Sequence, residues 1–292
     1  MQIGISMIYK RVDDSAPNPG TFALECEQLG LESVWVGDHM LFHAHPKTPF
    51  PAGGAIPDHY AHFPEPFVVL AMAAATTKKL RIGTSVLLMP EHEPLTAAKT
   101  IATLDRLSGG RVILGVGSGW LREAAVPLGS DFDHRWTQAG EYVAAMRELW
   151  SKPVASFHGK YANFDDIVCN PKPLQQPGPP VLIGSLDKNA LKRVAKWADG
   201  WCPIRLNALA LKERVDELKR ECAAVGRDFA KLDITIMGGI AGDRAKVQDS
   251  LKEFAAAGAH RFVAGVGDLT SSGQFDYKSS EETLKKIASL YV

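Results

Sequence analysis

Eight short apolar stretches, each followed by a stretch of helical patterning, divide this chain, and no other feature constrains its fold as much. The clearest unit begins at Leu80–Pro90, a nearly continuous apolar run with β-branched residues, the pattern of a strand buried on both faces. Pro90 and Pro94 close it, Leu95–Ser108 reads as a helix, and Gly109-Gly110 stops that helix before a second buried strand at Arg111–Gly115. Two buried strands bracketing one helix form a βαβ unit.

The same unit recurs along the chain. Further strands are expected at Gln2–Ile8, Ser33–Gly37, Val181–Gly184, Gly200–Pro203, Leu232–Met237 and His260–Gly265. Helices are expected at Thr21–Leu29, Pro66–Thr77, His134–Trp150, Asp187–Ala198, Asn207–Val225 and Asp243–Ala257, the last with Asp243 as its N-cap. Ser279 and Glu282 form a capping box before a final helix. Such alternation builds either an open doubly wound sheet or a closed (β/α)8 TIM barrel, and a count of eight favours the barrel. The expected organisation is a single α/β domain over residues 1–292, with long loops at 38–64 and 116–133 and an irregular excursion at 151–180. Within that excursion Phe157–Tyr161 resembles a hairpin turn, and the Pro-rich Asn170–Pro180 an extended connector. In a barrel the active site lies at the C-terminal ends of the strands, so both long loops fall on one face.

Composition narrows the function classes. The chain carries 33 basic and 33 acidic residues and so has no basic excess, which argues against nucleic acid and membrane surfaces as partners. No run approaches the ~18–20 apolar residues of a membrane span, and the chain opens directly into a strand without a leader pattern. The four cysteines, Cys26, Cys169, Cys202 and Cys222, form no C-x-x-C pair. Buried, reduced thiols in a cytoplasmic protein are the expectation.

Four places carry candidate chemistry. Asp38-His39, after the second strand, offers an acid and an imidazole for proton transfer or ring hydrogen bonding, or simply a capping pair. At Gly83-Thr84-Ser85-Val86 small polar residues interrupt an apolar strand, which suits either a flat ligand against the backbone or a bend at the barrel rim. Gly115-Val116-Gly117-Ser118-Gly119-Trp120 is glycine-rich but contains neither a G-x-G-x-x-G nor a Walker loop; its amides can still contact a ligand. Gly184-Ser185-Leu186 ends a strand and leads into a helix, a setting for phosphate or for an ordinary cap. His43, His45, His59 and His62 lie in a Pro/Gly-rich loop that gives a metal no rigid frame, so no metal is expected. His92, His158 and His260 read as surface or turn residues.

With these residues in place, the sequence resembles the bacterial luciferase-like superfamily, most closely its coenzyme F420-dependent (deazaflavin) oxidoreductases. The resemblance rests on Leu31–His39, Arg81–Pro90, Ala97–Gly119 with its Leu104–Arg111 core, and Pro171–Trp201 with Pro179–Ser185, in that order. It implies a luciferase-like barrel that binds a deazaflavin, or alternatively FMN, at its C-terminal face. It further implies a non-prolyl cis peptide bulge at Ser85–Val86 behind the ring, Asp38 and His39 near the ring, and phosphate at Gly184-Ser185. Lys188, Lys192 and Arg193 are candidates for a cofactor tail. One departure stands out: Trp120 occupies the place where sugar-phosphate dehydrogenases of the superfamily carry a catalytic Glu. The expected site is thus His39 and Asp38 for catalysis, with Thr84, Ser85, Val86, Gly117, Gly119, Gly184, Ser185 and Leu186 for the cofactor. The expected function is hydride transfer between F420 and a small-molecule substrate. The alternatives are an FMN-dependent monooxygenase and a non-catalytic flavin-binding protein. A homodimer is the expected assembly.

Overall fold

The eight barrel strands are β1 (Gln2–Met7), β2 (Ser33–Val36), β3 (Arg81–Leu88), β4 (Val112–Gly117), β7 (Val181–Ile183), β8 (Gly200–Trp201), β9 (Asp233–Gly238) and β10 (Arg261–Gly265). The remaining two, β5 (Ala155–His158) and β6 (Asn163–Ile167), form a separate antiparallel hairpin. The computed structural model describes residues 1–7, 18–265 and 277–292, without the side chains of 277–283. Ile8 and the Ser279/Glu282 capping box therefore lie outside the described residues and side chains. Every barrel pairing is parallel, and the order β1-β10-β9-β8-β7-β4-β3-β2 closes on itself, with Gln2 beside Arg261.

Helices α1 (Pro19–Gln28), α2 (Pro66–Thr76), α3 (Pro94–Ser108), α4 (Arg122–Ala125), α5 (Arg135–Ser151), α6 (Ala190–Trp197), α7 (Ala208–Ala224), α8 (Arg244–Ala256) and α9 (Tyr277–Tyr291) connect the strands and follow the last of them. Their termini are set by local chemistry. Asn18, Glu65, Glu93, Asn207 and Asp243 each accept backbone N–H groups at a helix start. Gly109, at φ 77°, ends α3 in the left-handed conformation that favours glycine. Three expectations need correction. The 116–133 stretch is not a plain loop, because Val116 and Gly117 complete β4 and a short helix and a 3-10 turn occupy Arg122–Ala125 and Val126–Leu128. The 151–180 stretch is not wholly irregular, because the predicted turn joins the real strands β5 and β6. The sixth helix starts at Ala190 rather than Asp187, because Asp187 spends its carboxylate on a turn instead of a cap.

The core is split by the two-residue strand period. Val34, Val36, Val112, Leu114, Val181, Ile183, Phe262 and Ala264 face outward into the large core shared with the helices. Trp35, Ile113, Leu182, Cys202, Met237 and Val263 form a small inner cluster. Trp35 dominates that inner layer, and its bulk explains two glycines beside it. A Cβ on Gly83 would lie 2.5 Å from the Trp35 ring, and one on Gly4 would lie 2.4 Å from Ser33 Oγ, the acceptor of the Trp35 indole N–H, and 3.0 Å from the indole nitrogen itself. Beneath this layer Arg261, 1% exposed, reaches Glu32, Asp233, Thr235 and Gln2 and closes the N-terminal end.

Candidate active site

Above the inner layer the barrel lacks large inward side chains on one side. On β4 the inward positions continue from Ile113 to Gly115 and Gly117, and beyond β7 from Leu182 to Gly184. The gap receives one side chain, Val86. Cβ atoms built on Gly117 and Gly184 would lie 2.6 and 2.4 Å from its two methyl groups. Val86 is brought there by an irregularity in β3, whose register with β4 shifts between Thr84 and Leu87. The Ser85–Val86 peptide is cis, as the resemblance implies. Ser85 and Val86 are half-buried in a strand whose neighbours Thr84 and Leu87 are wholly buried. A flat, glycine-flanked surface therefore faces the mouth. Thr84 does not belong to it: its hydroxyl donates to the Gly115 carbonyl oxygen at 2.8 Å, inside the sheet.

His39 stands at the same mouth, after β2, enclosed by rings. Tyr60, Phe63 and Trp120 have centroids 5.1, 5.4 and 5.9 Å from its own. Phe50 extends the cluster against Tyr60 and Trp120. Burial pushes the imidazole pKa down to about 4; Asp38 opposes that shift and His59 adds to it. His39 is therefore neutral near pH 7. The Trp120 indole donates to its Nε2 at 3.3 Å, which leaves the ring proton on Nδ1.

Asp38 adjoins His39 in sequence but faces other partners. It is 3% exposed, and its Oδ2 accepts from the Leu88 N–H at 2.9 Å and pairs with His92 Nε2 at 2.7 Å. It thereby joins the end of β2 to the turn after β3. His92 is the turn residue the sequence allows, closing the 3-10 turn Met89–Glu91, but it is not a surface one, since its side chain is only 9% exposed. Burial opposes protonation of His92, but the Asp38 hydrogen bond and the charges of Asp38, Glu65 and Glu91 outweigh it and raise its pKa. Glu91, also buried, completes the cluster. Its Oε1 would lie 2.5 Å from a Cβ on Gly119, and Oε2 has no hydrogen-bond partner, like Asp38 Oδ1. Burial, aided by the Asp38 charge, pushes Glu91 up to about 8. The sequence signal for this cluster is Pro90-Glu91-His92-Glu93-Pro94, a polar stretch just past a strand's C-terminal end.

Gly184, Ser185 and Leu186 lie at the neighbouring rim, where Gly184 N–H bonds the Val116 carbonyl oxygen. The anion position there is taken by the chain itself. The Asp187 carboxylate accepts from Ser185 Oγ at 2.7 Å, from Asn189 N–H at 2.8 Å and from Arg193 Nη1 at 2.7 and 2.8 Å. Arg193 also lies over the Trp136 ring, 4.6 Å from its centroid. Lys188 and Lys192 are exposed. The structure thus gathers His39, Ser85, Val86, Gly117, Gly119, Gly184 and Ser185 around one mouth. Leu186 sits exposed on its rim, and Asp38 and Thr84 are buried behind it. Among the described residues no group of three or more His, Cys, Asp or Glu side chains is arranged to hold a metal, and no helix is long and apolar enough to cross a membrane.

Comparison with known proteins adds family context. The family model described as luciferase-like monooxygenase matches residues 6–289. An uncharacterized protein of Mycobacterium tuberculosis is 34% identical over 269 residues, which is 90% of this chain and 92% of that protein. An F420-dependent glucose-6-phosphate dehydrogenase of Kineococcus radiotolerans is 30% identical over 220 residues, covering 74% of this chain and 61% of its own. An FMNH(2)-dependent dimethylsulfone monooxygenase of Pseudomonas putida is 31% identical over 155 residues, covering 52% and 42%. Among solved structures, a monooxygenase from Streptomyces bottropensis superposes with a TM-score of 0.80 at 17% identity over 99% of this chain and 98% of that one.

Proposed function

The chain belongs to the luciferase-like monooxygenase family, and from that premise we propose that it is an oxidoreductase that moves a hydride between coenzyme F420 and a small organic substrate. Members of the family use either F420 or FMN. The observation that carries the reading is the pairing of a flat backbone surface at Ser85–Val86 with a neutral, ring-enclosed His39 across one mouth.

The residues at the mouth fit a flat ring, while the phosphate position beside Ser185 is held by the Asp187 carboxylate. Val86, lodged between Gly117 and Gly184, would back the ring. When bound, the deazaflavin supplies the hydride from a ring carbon, where flavin has a nitrogen that favours oxygen chemistry. The protein orients and encloses. His39, with its proton on Nδ1, can donate a hydrogen bond to a substrate oxygen as negative charge develops there; neutral, it acts as a polariser rather than a strong acid. The rings of Phe50, Tyr60, Phe63 and Trp120 exclude water and strengthen that bond. Trp120 in place of an acid disfavours a sugar phosphate as the substrate.

The test is a fluorescence titration of F420 and FMN, followed by single-turnover oxidation of each reduced form. F420 is expected to bind more tightly and to support substrate reduction. Tight FMN binding with oxygen-dependent turnover, and none with F420, would replace this reading with the monooxygenase one. A cofactor phosphate at Ser185 must displace the Asp187 carboxylate from Ser185 Oγ and Arg193. Asp187→Asn removes the competing charge and frees the guanidinium, so both cofactors are expected to bind several-fold more tightly in the same titration. Unchanged affinity would move the phosphate elsewhere.

A further inference from the structure

We propose that Glu123 is a positioning residue that latches the 38–64 loop over the barrel mouth and, through the rings that loop carries, keeps His39 enclosed. The proposal rests on the mouth being the reaction site of the proposed oxidoreductase.

The loop is 27 residues long and contains little regular structure, a 3-10 turn at Asp58–His62. Its rings Phe50, Tyr60 and Phe63 pack on one another, and Phe42, Pro46, Thr48, Ile56 and Ala61 help line an open pocket of about 480 Å3 within it. Its position over the barrel rests on the Phe50 and Tyr60 rings against Trp120 and on hydrogen bonds to Glu123. Among the described residues, Glu123 is the one hydrogen-bond partner that residues 40–57 find outside the loop. Its Oε1 accepts from the N–H groups of Lys47 and Thr48 at 2.8 and 3.0 Å, and its Oε2 accepts from Thr48 Oγ1 at 2.6 Å. The Thr48 hydroxyl, and with it the two amides, holds the carboxyl down to about 2, so it stays ionised throughout the physiological range.

The latch sits where it can act on His39. Glu123 lies on α4, three residues after Trp120, which donates to His39. Thr48 is two residues before Phe50, whose ring meets both Trp120 and Tyr60. One carboxylate thus fastens the two segments that supply the rings around His39. Releasing it should let Phe50 and Tyr60 move and water reach the imidazole. The charged groups acting on His39 are Asp38 and His59, and the one acting at Glu123 is Arg122; Lys47 reaches it only through its backbone N–H. Asp38 is held by Leu88 and His92 and does not depend on the latch.

The experiment is an NMR titration of the histidine ring protons in the cofactor-free full chain, with His39 assigned from a His39→Gln spectrum. In the native protein His39 should titrate near pH 4. In Glu123→Ala, which removes all three bonds, its midpoint should rise by one pH unit or more, and Thr48→Val, which removes one of them, should shift it the same way by less. Glu141→Gln, which loosens an equivalent carboxylate clamp on Tyr161 and Ala162, should leave it unchanged. A His39 midpoint that does not move in folded Glu123→Ala and Thr48→Val overturns the proposal, and Thr48→Val alone decides if Glu123→Ala does not fold. The readout needs no cofactor. A shifted midpoint in a protein that binds neither F420 nor FMN would therefore keep the latch and remove the proposed function.

Discussion

Replacing Glu91 with glutamine is expected to stabilise the protein by about 3 kcal/mol at pH 7 and to weaken the fall of its stability on the alkaline side, up to about pH 8. The native fold buries the Glu91 carboxyl beside Asp38 and pushes it from 4.5 up to about 8. In the unfolded chain the group ionises near its ordinary value. Between those two values the native state holds a proton that the unfolded state has released, so stability falls as pH rises through that window. Above about pH 8 the folded state ionises as well, and the contribution becomes constant at its most unfavourable. A glutamine is neutral everywhere and keeps the side-chain shape against Gly119. Urea melts at several pH values check this; equal slopes for the two proteins would mean that Glu91 is ionised in the native state. His39 tilts the curve the other way on the acid side. With its pKa lowered to about 4, its contribution is present above about pH 6.5 and is lost as pH falls through 4. The two windows overlap between about pH 4.5 and 6.5, where the slopes oppose each other, so the native protein should be most stable on a plateau there. Glu91→Gln should lose the Glu91 part of the alkaline-side fall and keep the part that comes from the raised His92 pKa.

A second large effect is expected at the floor of the barrel. Arg261→Met should cost about 3–5 kcal/mol in urea unfolding. The guanidinium is enclosed and meets Glu32 through Nε and Nη2 at 2.8 and 3.0 Å, Asp233 through Nη1 at 2.9 Å, and the Thr235 and Gln2 side chains. Removing it leaves Glu32 and Asp233 without their hydrogen-bonded cation, and only the field of the nearby Arg81 still acts on both. Adding Glu32→Gln and Asp233→Asn should then recover much of the loss, because the remaining groups no longer repel. A cost under about 1 kcal/mol for the single change would mean that water penetrates the floor and screens the acids.

The alternation of strands and helices is readable because period-two and period-3.6 patterns are local, and Asp243 or Gly109 mark ends within a few residues. What the sequence does not supply is pairing across loops. Asp38 and His92 lie 54 residues apart, and nothing near His92 tells a turn histidine from a buried one. Gly117 and Gly184 read as exposed amides awaiting a ligand, yet both also make space for the methyl groups of Val86. Thr84 looks available because it is polar within an apolar strand, but a carbonyl one strand away takes its proton. Asp187 looks like a helix start because acids favour such positions; only three-dimensional contacts show that Ser185 and Arg193 hold it first. Arg261 and Glu32 are 229 residues apart and meet only because the sheet closes.

The packed layer of Trp35, with Arg261 beneath it, also sets the traffic through the molecule. A barrel stopped at one end is a well, not a tunnel. Whatever settles deepest must arrive first and depart last, and anything that lies above it blocks its exit. If the ring rests on Val86 and the substrate on the ring, the two share one doorway and must form a queue: cofactor in, substrate in, product out, spent cofactor out. The order of events is then imposed by the shape of the vessel before any difference in affinity comes into play.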